Sequence, residues 1–73
     1  MEESQFIVKS NLKEILDKKG WSIRKCSDMS GLKFETVRRL YNDTTQRYQR
    51  ETLAVLCETL EVEINELLSL EKK

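Results

Sequence analysis

The sequence has no proline, no histidine and only two glycines among its 73 residues. Because helix breakers are scarce, the composition favours helices throughout the chain. Runs typical of strands are nearly missing as well, and the one candidate, Phe6-Ile7-Val8, is too short to support a sheet alone. Cys26 and Cys57 lie far apart and no imidazole accompanies them, so we expect no ordinary zinc site and no other cofactor.

Further absences narrow the class of protein. No apolar run is long enough to cross a membrane, and the acidic start Met-Glu-Glu-Ser-Gln is unlike a signal peptide. We therefore expect a cytoplasmic protein with reduced thiols and no membrane partner. Because the chain lacks His, a nucleophile–base pair and a glycine-rich phosphate loop, we expect no enzymatic activity. A length of 73 residues predicts one small domain over residues 1–73.

Charge is distributed unevenly although the formal net charge is zero. Residues 9–50 carry eleven Lys and Arg against five Asp and Glu, a local net charge of +6. Residues 51–73 carry six Glu and two Lys, which gives −4. Because salt screens charges beyond about 8–10 Å, a basic face can bind phosphates while the rest of the molecule is acidic. The alternative is that these charged side chains lie on ordinary solvated faces of helices and bind no partner.

Hydrophobic periodicity predicts five helices and an all-α fold, with at most a short extended segment at the N-terminus. We expect the helices over residues 10–19, 22–29 and 33–41, from about residue 50 to 60, and from residue 64 onward. Asn11 and Glu14 have the spacing of a capping box, and Gly20 suits a left-handed helix end. The fifth helix is expected to contain Ile64, Leu67, Leu68 and Leu70, with residues 71–73 fraying.

Residues 22–41 predict two short helices joined by a tight turn at Ser30-Gly31, a helix-turn-helix. On the second of these helices, Thr36, Val37 and Leu40 fall on one side at 100° per residue. The opposite side carries Glu35, Arg38, Arg39 and Asn42. A pair of guanidinium groups on a face that no core needs is suited to the DNA major groove.

Two segments carry a family resemblance: Ser22-Ile-Arg-Lys-Cys-Ser-Asp-Met-Ser-Gly-Leu-Lys-Phe-Glu-Thr-Val-Arg-Arg-Leu-Tyr-Asn-Asp and, after a loop, Glu51-Thr-Leu-Ala-Val-Leu-Cys-Glu-Thr-Leu-Glu-Val. With them, residues from about 10 to 70 resemble the phage repressor/Cro-type helix-turn-helix domains, also called the xenobiotic response element (XRE) family. The resemblance implies a compact five-helix, lambda-repressor-like domain. It also implies that the protein binds operator DNA as a two-fold homodimer.

The resemblance further implies which residues contact DNA. Base-reading positions fall on Phe34, Glu35 and Arg39, with Arg38 beside them. The resemblance also places phosphate contacts near Ser22 and Ile23, at the start of the second helix, and in the loop after the third helix. From their own positions at the start of the third helix and around that loop, we expect phosphate contacts at Lys33, Asn42, Arg47 and Arg50. Each of these cations could instead be an ordinary solvated side chain.

Departures from the family pattern limit what the third helix can read. Ile23 stands where many members have a Gln that grips a phosphate. Phe34 and Glu35 replace the common polar amides, so adenine recognition by Asn or Gln is not offered. Asp43 occupies a position often held by Gly, which Asp can fill in a left-handed conformation at some cost.

Arg39 is the strongest candidate for direct readout, because a guanidinium can donate two hydrogen bonds to guanine O6 and N7. The alternative is an ion pair of Arg38 or Arg39 with Glu35, which on a surface contributes only a few tenths of a kcal/mol. Phe34 also has two readings, a contact with a thymine methyl group or packing with Tyr41.

These observations favour a sequence-specific regulator of transcription, expected to be a repressor that inserts its third helix into the major groove. Two alternatives stay open. The protein could be an antitoxin-like regulator with a protein partner, or an interaction module that keeps the fold without reading DNA, although the paired arginines disfavour the second. For a homodimer the sequence offers two surfaces, the fifth helix with Leu67, Leu68 and Leu70, or the flank of Phe6 and Ile7.

Overall fold

The computed structural model describes residues 4–73 as five helices and a two-stranded sheet. In chain order the elements are β1 (Phe6–Ser10), α1 (Leu12–Lys19), α2 (Ile23–Ser30), α3 (Phe34–Tyr41), α4 (Arg50–Leu60), α5 (Ile64–Leu67) and β2 (Leu68–Lys72). The antiparallel pair of β1 and β2, called the ribbon below, places Val8 opposite Leu70. Within residues 4–73, no helix is both long and apolar enough to cross a membrane.

One hydrophobic core joins all five helices. Its buried side chains are Leu12, Leu16, Cys26, Val37, Leu40, Leu56, Leu60 and Leu67. Trp21 and Leu32 pack against this core from the connections that flank α2. Burying one Leu or Val side chain contributes about 1.5–3 kcal/mol, so this cluster is the main source of stability.

Local hydrogen bonds fix the segment from α2 to α3. Ser22 caps α2, because its Oγ accepts the N–H of Lys25 at 3.0 Å. Gly31 has a left-handed φ of 78° and donates its N–H to the carbonyl of Ser27 at 2.9 Å. The Ser27 hydroxyl donates to the carbonyl of Leu32 at 2.6 Å. These bonds hold the start of α3 against α2, and they confirm the turn predicted at Ser30-Gly31.

The all-α prediction is wrong at the two ends of the described chain. Helix α5 ends at Leu67, whose carbonyl accepts the N–H of Asn11 at 2.8 Å, and the chain continues as β2. Apolar side chains alternate with polar ones along β2, and this period of two suits a strand. The fifth helix is therefore a single turn, and Phe6-Ile7-Val8 belongs to a strand with a distant partner.

The expected fraying of residues 71–73 is also wrong. The last residues do not fray, because Glu71 and Lys72 belong to β2 and the N–H of Lys73 donates to the carbonyl of Gln5 at 2.9 Å. Ile64 lies in the fifth helix as expected, but it is 51% exposed. A helix of four residues offers one buried position, and Leu67 occupies it.

The capping box predicted at the start of the first helix does not form. Asn11 makes no side-chain cap, and its amide group donates instead to the carbonyl of Glu66 at 3.3 Å. A capping box is present at α5, where the N–H of Glu63 donates to the Glu66 carboxylate at 3.0 Å. Asn11 thus ties the start of α1 to α5, next to the ribbon.

Candidate nucleic-acid interface

Helix α3 separates an apolar side from a charged one, as its sequence pattern predicts. Val37 and Leu40 are buried in the core. Glu35, Arg38 and Arg39 are exposed on the outer side. Because α2 and the turn hold α3 from behind, this outer side is free to meet a partner.

Glu35 pairs with both arginines of α3. Arg38 Nε donates to Glu35 Oε1 at 3.1 Å, and Arg38 Nη2 donates to Glu35 Oε2, so this pair has two hydrogen bonds. Arg39 Nε lies 3.4 Å from Glu35 Oε2. The Arg38 hydrogen bond, assisted by the charges of both arginines, lowers the pKa of Glu35, and the same pair raises the pKa of Arg38. The ion pairs expected as an alternative are therefore present.

The two arginines differ in how strongly they are held. Arg38 has a side-chain exposure of 44%, and Arg39, with its single contact to Glu35, has 61%. A surface pair of this kind contributes only about 0.2–1 kcal/mol, which a stronger acceptor such as a base edge or a phosphate can replace. Arg39 is thus the more available of the two guanidinium groups.

A concavity of about 480 Å³ lies between α3 and the start of α4. Three cations line it, Lys33 and Arg39 of the α3 region and Arg47 of the following loop, together with the carboxylate of Glu35. The remaining lining residues are Thr36, Leu40, Thr45, Tyr48, Gln49, Thr52 and Leu53. Hydroxyl and amide donors among cations are the usual protein partners of a sugar–phosphate strand.

A second groove lies beside the start of α2. It is lined by Trp21, Ser22, Ile23, Arg24, Phe34 and Tyr41. The Arg24 guanidinium lies 5.0 Å from the centroid of the Phe34 ring, which is within the range of a cation–π contact. Lys25 Nζ lies 5.0 Å from the Trp21 ring. Phe34 therefore shares a groove with Tyr41, while its ring face is covered by a cation from α2.

The residues predicted to contact DNA fall into three groups. Lys33, Glu35, Arg39 and Arg47 line the concavity between α3 and α4, whereas Ser22 and Phe34 line the groove at α2. Arg38, Asn42 and Arg50 are exposed but line neither of these two surfaces. Asn42 follows the last residue of α3, and its N–H donates to the carbonyl of Arg38 at 3.0 Å.

Several residues of the candidate interface carry no signal in the sequence. Thr45, Tyr48, Gln49 and Thr52 line the concavity from an aperiodic loop and the first turn of α4, where no pattern indicates which side chains face α3. The stack of Arg24 on Phe34 depends on how α2 and α3 cross. Asp43, just after α3, does carry a signal: a left-handed backbone was predicted for it, and its φ of 58° confirms that prediction.

The sequence profile of the family described as Cro/C1-type HTH DNA-binding domain matches residues 11–73. No curated protein matches. Among solved structures, the chain is similar to a protein from Bacteroides fragilis whose suggested role is DNA binding, with 21% identity and a TM-score of 0.73 over 86% of this chain and 100% of that one.

A second similar structure is the transcriptional regulator VanUg, with 14% identity and a TM-score of 0.76 over 100% of this chain and 96% of that one. At these identities the two structures support the fold alone. The profile match spans most of the chain, including every helix described above. The chain belongs to the Cro/C1-type helix-turn-helix family of DNA-binding domains.

Proposed function

We propose that this protein is a sequence-specific transcriptional regulator, acting as a repressor, which inserts α3 into the major groove of duplex DNA as a homodimer. The observation that supports this best is the position of Arg39, on the exposed side of α3 and beside a concavity that also holds Lys33 and Arg47. A helix in the major groove has base edges in front of it and phosphates along both sides. The cations of this chain match that arrangement.

Arg38 and Arg39 have different roles in this proposal. Arg39 reads guanine, because its exposed guanidinium can reach O6 and N7, a contact that discriminates between bases by about 1–3 kcal/mol. Arg38 is ordered by two hydrogen bonds to Glu35 and lies where it can meet the groove edge. Glu35 aligns both arginines and can accept a hydrogen bond from cytosine N4.

Phosphates are held on both sides of α3. Lys33 and Arg47 contact one DNA strand from the concavity. Ser22 and Arg24 contact the other strand at the start of α2, where the partial positive charge of a helix N-terminus favours an anion. Asn42 and Arg50 add contacts at the ends of the intervening loop. Each neutralised phosphate adds about 0.9 to the slope of log affinity against log salt.

The experiment starts from a duplex selected by the wild-type protein from a random library, with a scrambled duplex as competitor. Fluorescence anisotropy then compares the wild type with Arg39→Ala and with the matched control Lys18→Ala. Lys18 is an exposed cation that lines a different groove, with Val62 and Glu66. We expect Arg39→Ala to lose about 1–3 kcal/mol of preference for the selected duplex. Lys18→Ala should keep it.

Arg47→Ala separates phosphate contacts from base contacts. It should weaken binding to selected and scrambled duplexes equally and lower the salt slope by about 1. If the wild type selects no sequence, or if Arg39→Ala and Lys18→Ala behave alike, α3 does not read bases and the proposal is wrong. Transcription in vitro from a promoter that overlaps the selected sequence tests repression, which requires that added protein lowers the amount of transcript.

A further inference from the structure

We infer that the homodimer forms along the free edge of β2, with Leu70 of two copies paired at the two-fold axis to give a four-stranded antiparallel sheet. The inference rests on the proposed function, because it names the surface through which the proposed homodimer assembles. It also replaces the two interfaces suggested by the sequence. Leu67 is buried in the core, while the Phe6 flank and Leu70 lie on a single ribbon.

The ribbon has one apolar face. Its register places Phe6 opposite Lys72 and Val8 opposite Leu70, and residues directly opposite share a face. Phe6 is 47% exposed, Val8 45% and Leu70 66%. These three neighbouring apolar side chains are therefore poorly covered by the rest of the described chain.

The hydrogen-bond pattern shows which backbone groups face outward. The bond from the N–H of Lys73 to the carbonyl of Gln5 identifies these two as a hydrogen-bonded pair. Because such pairs alternate in an antiparallel sheet, the backbone groups of Phe6, Val8 and Ser10 point away from β2. Those of Leu68, Leu70 and Lys72 point away from β1.

The two edges of the ribbon differ in how many of their outward backbone N–H groups have an acceptor. On β1, the Phe6 N–H donates to Ser4 Oγ and the Ser10 N–H donates to Asp43 Oδ1, both at 3.0 Å. Side chains therefore occupy both ends of this edge. On β2, no acceptor among residues 4–73 is found for the outward N–H groups of Leu70 and Lys72. An unpaired edge is a template for another strand.

A second copy of this chain fits the β2 edge well. With the two-fold axis at Leu70, the two Leu70 residues exchange both backbone hydrogen bonds, and Leu68 faces Lys72 of the second copy. The apolar face then carries an unbroken row across four strands, in the order Val8, Leu70, Leu70, Val8. A strand from an unrelated protein could make the backbone bonds but would have to supply this row by chance.

Charges on the opposite face allow this pairing. Glu71 Oε2 lies 3.7 Å from Lys9 Nζ of its own chain. The Glu71 carboxylate is therefore already paired with a cation within each copy. The pairing places Glu71 opposite Ser69 of the second copy. No like-charged residues are then directly opposite each other, the arrangement that destabilises a sheet.

Cysteine pairs test the register. In the inferred dimer the two Leu70 Cα atoms lie about 5.5 Å apart, within the range that a disulfide spans. The two Val8 Cα atoms are three strand spacings apart, about 14 Å. Under mild oxidation we expect L70C to form a covalent dimer and V8C to remain monomeric on a denaturing gel. Wild type controls for Cys26, which is buried, and Cys57, which is half-buried. Dimers of V8C but not L70C would place the interface at β1 and overturn the inference.

Substitutions that introduce a charge test the same surface without oxidative cross-linking. Sedimentation equilibrium over a range of concentrations should show the wild type and Ile7→Glu as dimers and Leu70→Glu as a monomer, with a dissociation constant raised at least about 100-fold. Ile7 is 52% exposed on the opposite face, so it controls for a new carboxylate on the ribbon. Helical circular dichroism must match in all three proteins. A dimeric Leu70→Glu variant would refute the inference.

These results do not depend on DNA. If the wild type selects no duplex but L70C cross-links, the proposed function fails and the interface stands. If α3 reads DNA but Leu70→Glu remains dimeric, the interface fails and the function stands. With both correct, Leu70→Glu should bind a half-site as well as the wild type does and should lose the extra affinity for a two-fold site.

Discussion

The α2–α3 segment and the ribbon are built in opposite ways. The first is fixed by bonds between near neighbours, such as Ser27 to Leu32, and it buries Val37 and Leu40 completely or almost so. The ribbon joins residues about 60 positions apart and leaves most of its apolar side chains half exposed. The element proposed to read DNA is thus stable within one chain, whereas the ribbon has the features of a surface completed by a partner.

The largest expected effect comes from shortening one apolar side chain in each region. Leu40→Ala removes a side chain that is 3% exposed on α3 and should cost about 2–5 kcal/mol of unfolding free energy. Val8→Ala on the ribbon should cost less than about 1 kcal/mol, because Val8 is 45% exposed. Urea unfolding followed by circular dichroism at low protein concentration measures both. Equal losses would mean that the ribbon contributes as much to the folded monomer as α3 does.

A smaller effect is expected at Asp43, which connects the two regions. Its carboxylate accepts the N–H of Ser10 from β1, while its own backbone has φ 58° just after α3. Asp43→Ala leaves that partly buried N–H unpaired and adds strain, so it should cost about 1–3 kcal/mol. Asp43→Asn keeps an acceptor oxygen and a residue that tolerates this backbone, and it should cost much less. Thermal unfolding that gives the two variants equal stability would exclude the role of this bond.

Two glycine substitutions of equal strain separate folding from recognition. Gly31 and Gly20 have φ values of 78° and 73°, and a Cβ at either one would meet no atom within 4 Å. Each change to Ala should therefore cost about 1–2 kcal/mol through backbone strain alone. Only Gly31→Ala should also lower the affinity for the selected duplex, because the turn at Gly31 sets the position of α3 on α2. Equal DNA affinities, measured by anisotropy at a temperature where both variants are folded, would contradict this expectation.

The smallest expected effect is a pH dependence at Asp17, which links α1 to α3. Hydrogen bonds from Lys13 and then from the Tyr41 hydroxyl lower the pKa of Asp17, the latter at 3.0 Å. The carboxylate therefore stabilises the fold above the ordinary Asp pKa, and this contribution is lost as the pH falls through the lowered value. Asp17→Asn should be slightly less stable than the wild type near neutral pH and equal to it in acid. Thermal unfolding of both proteins over a range of pH measures this difference, and a difference that persists unchanged in acid would contradict the role of these bonds.

Much of the helical part of the molecule was predictable because its signals are local. Ser22 caps α2, Gly31 makes the turn, and the apolar stripe of α3 appears as a spacing of three and four residues. The pairs of Glu35 with Arg38 and Arg39 follow from the same spacing. The roles assigned to individual DNA contacts stay predictions, since they depend on a partner.

The ribbon was not predictable, for a physical reason. Leu, Glu and Lys are strong helix formers, so residues 68–72 extend the fifth helix on local grounds. They form a strand because β1 offers a partner some 60 residues earlier in the sequence. The stack of Arg24 on Phe34 was not predictable for a similar reason, since it requires the crossing of two helices.

The distance in sequence between the paired strands also bears on the order of folding. Closing a loop of about 60 residues is entropically costly, so the strands should pair after the helices have formed and should open first. Amide protons of the ribbon would then exchange with solvent through local opening, and those of α3 only through complete unfolding. A protein with this hierarchy would keep its helix-turn-helix folded when dilution separates the copies, and protein concentration would set how many copies act together.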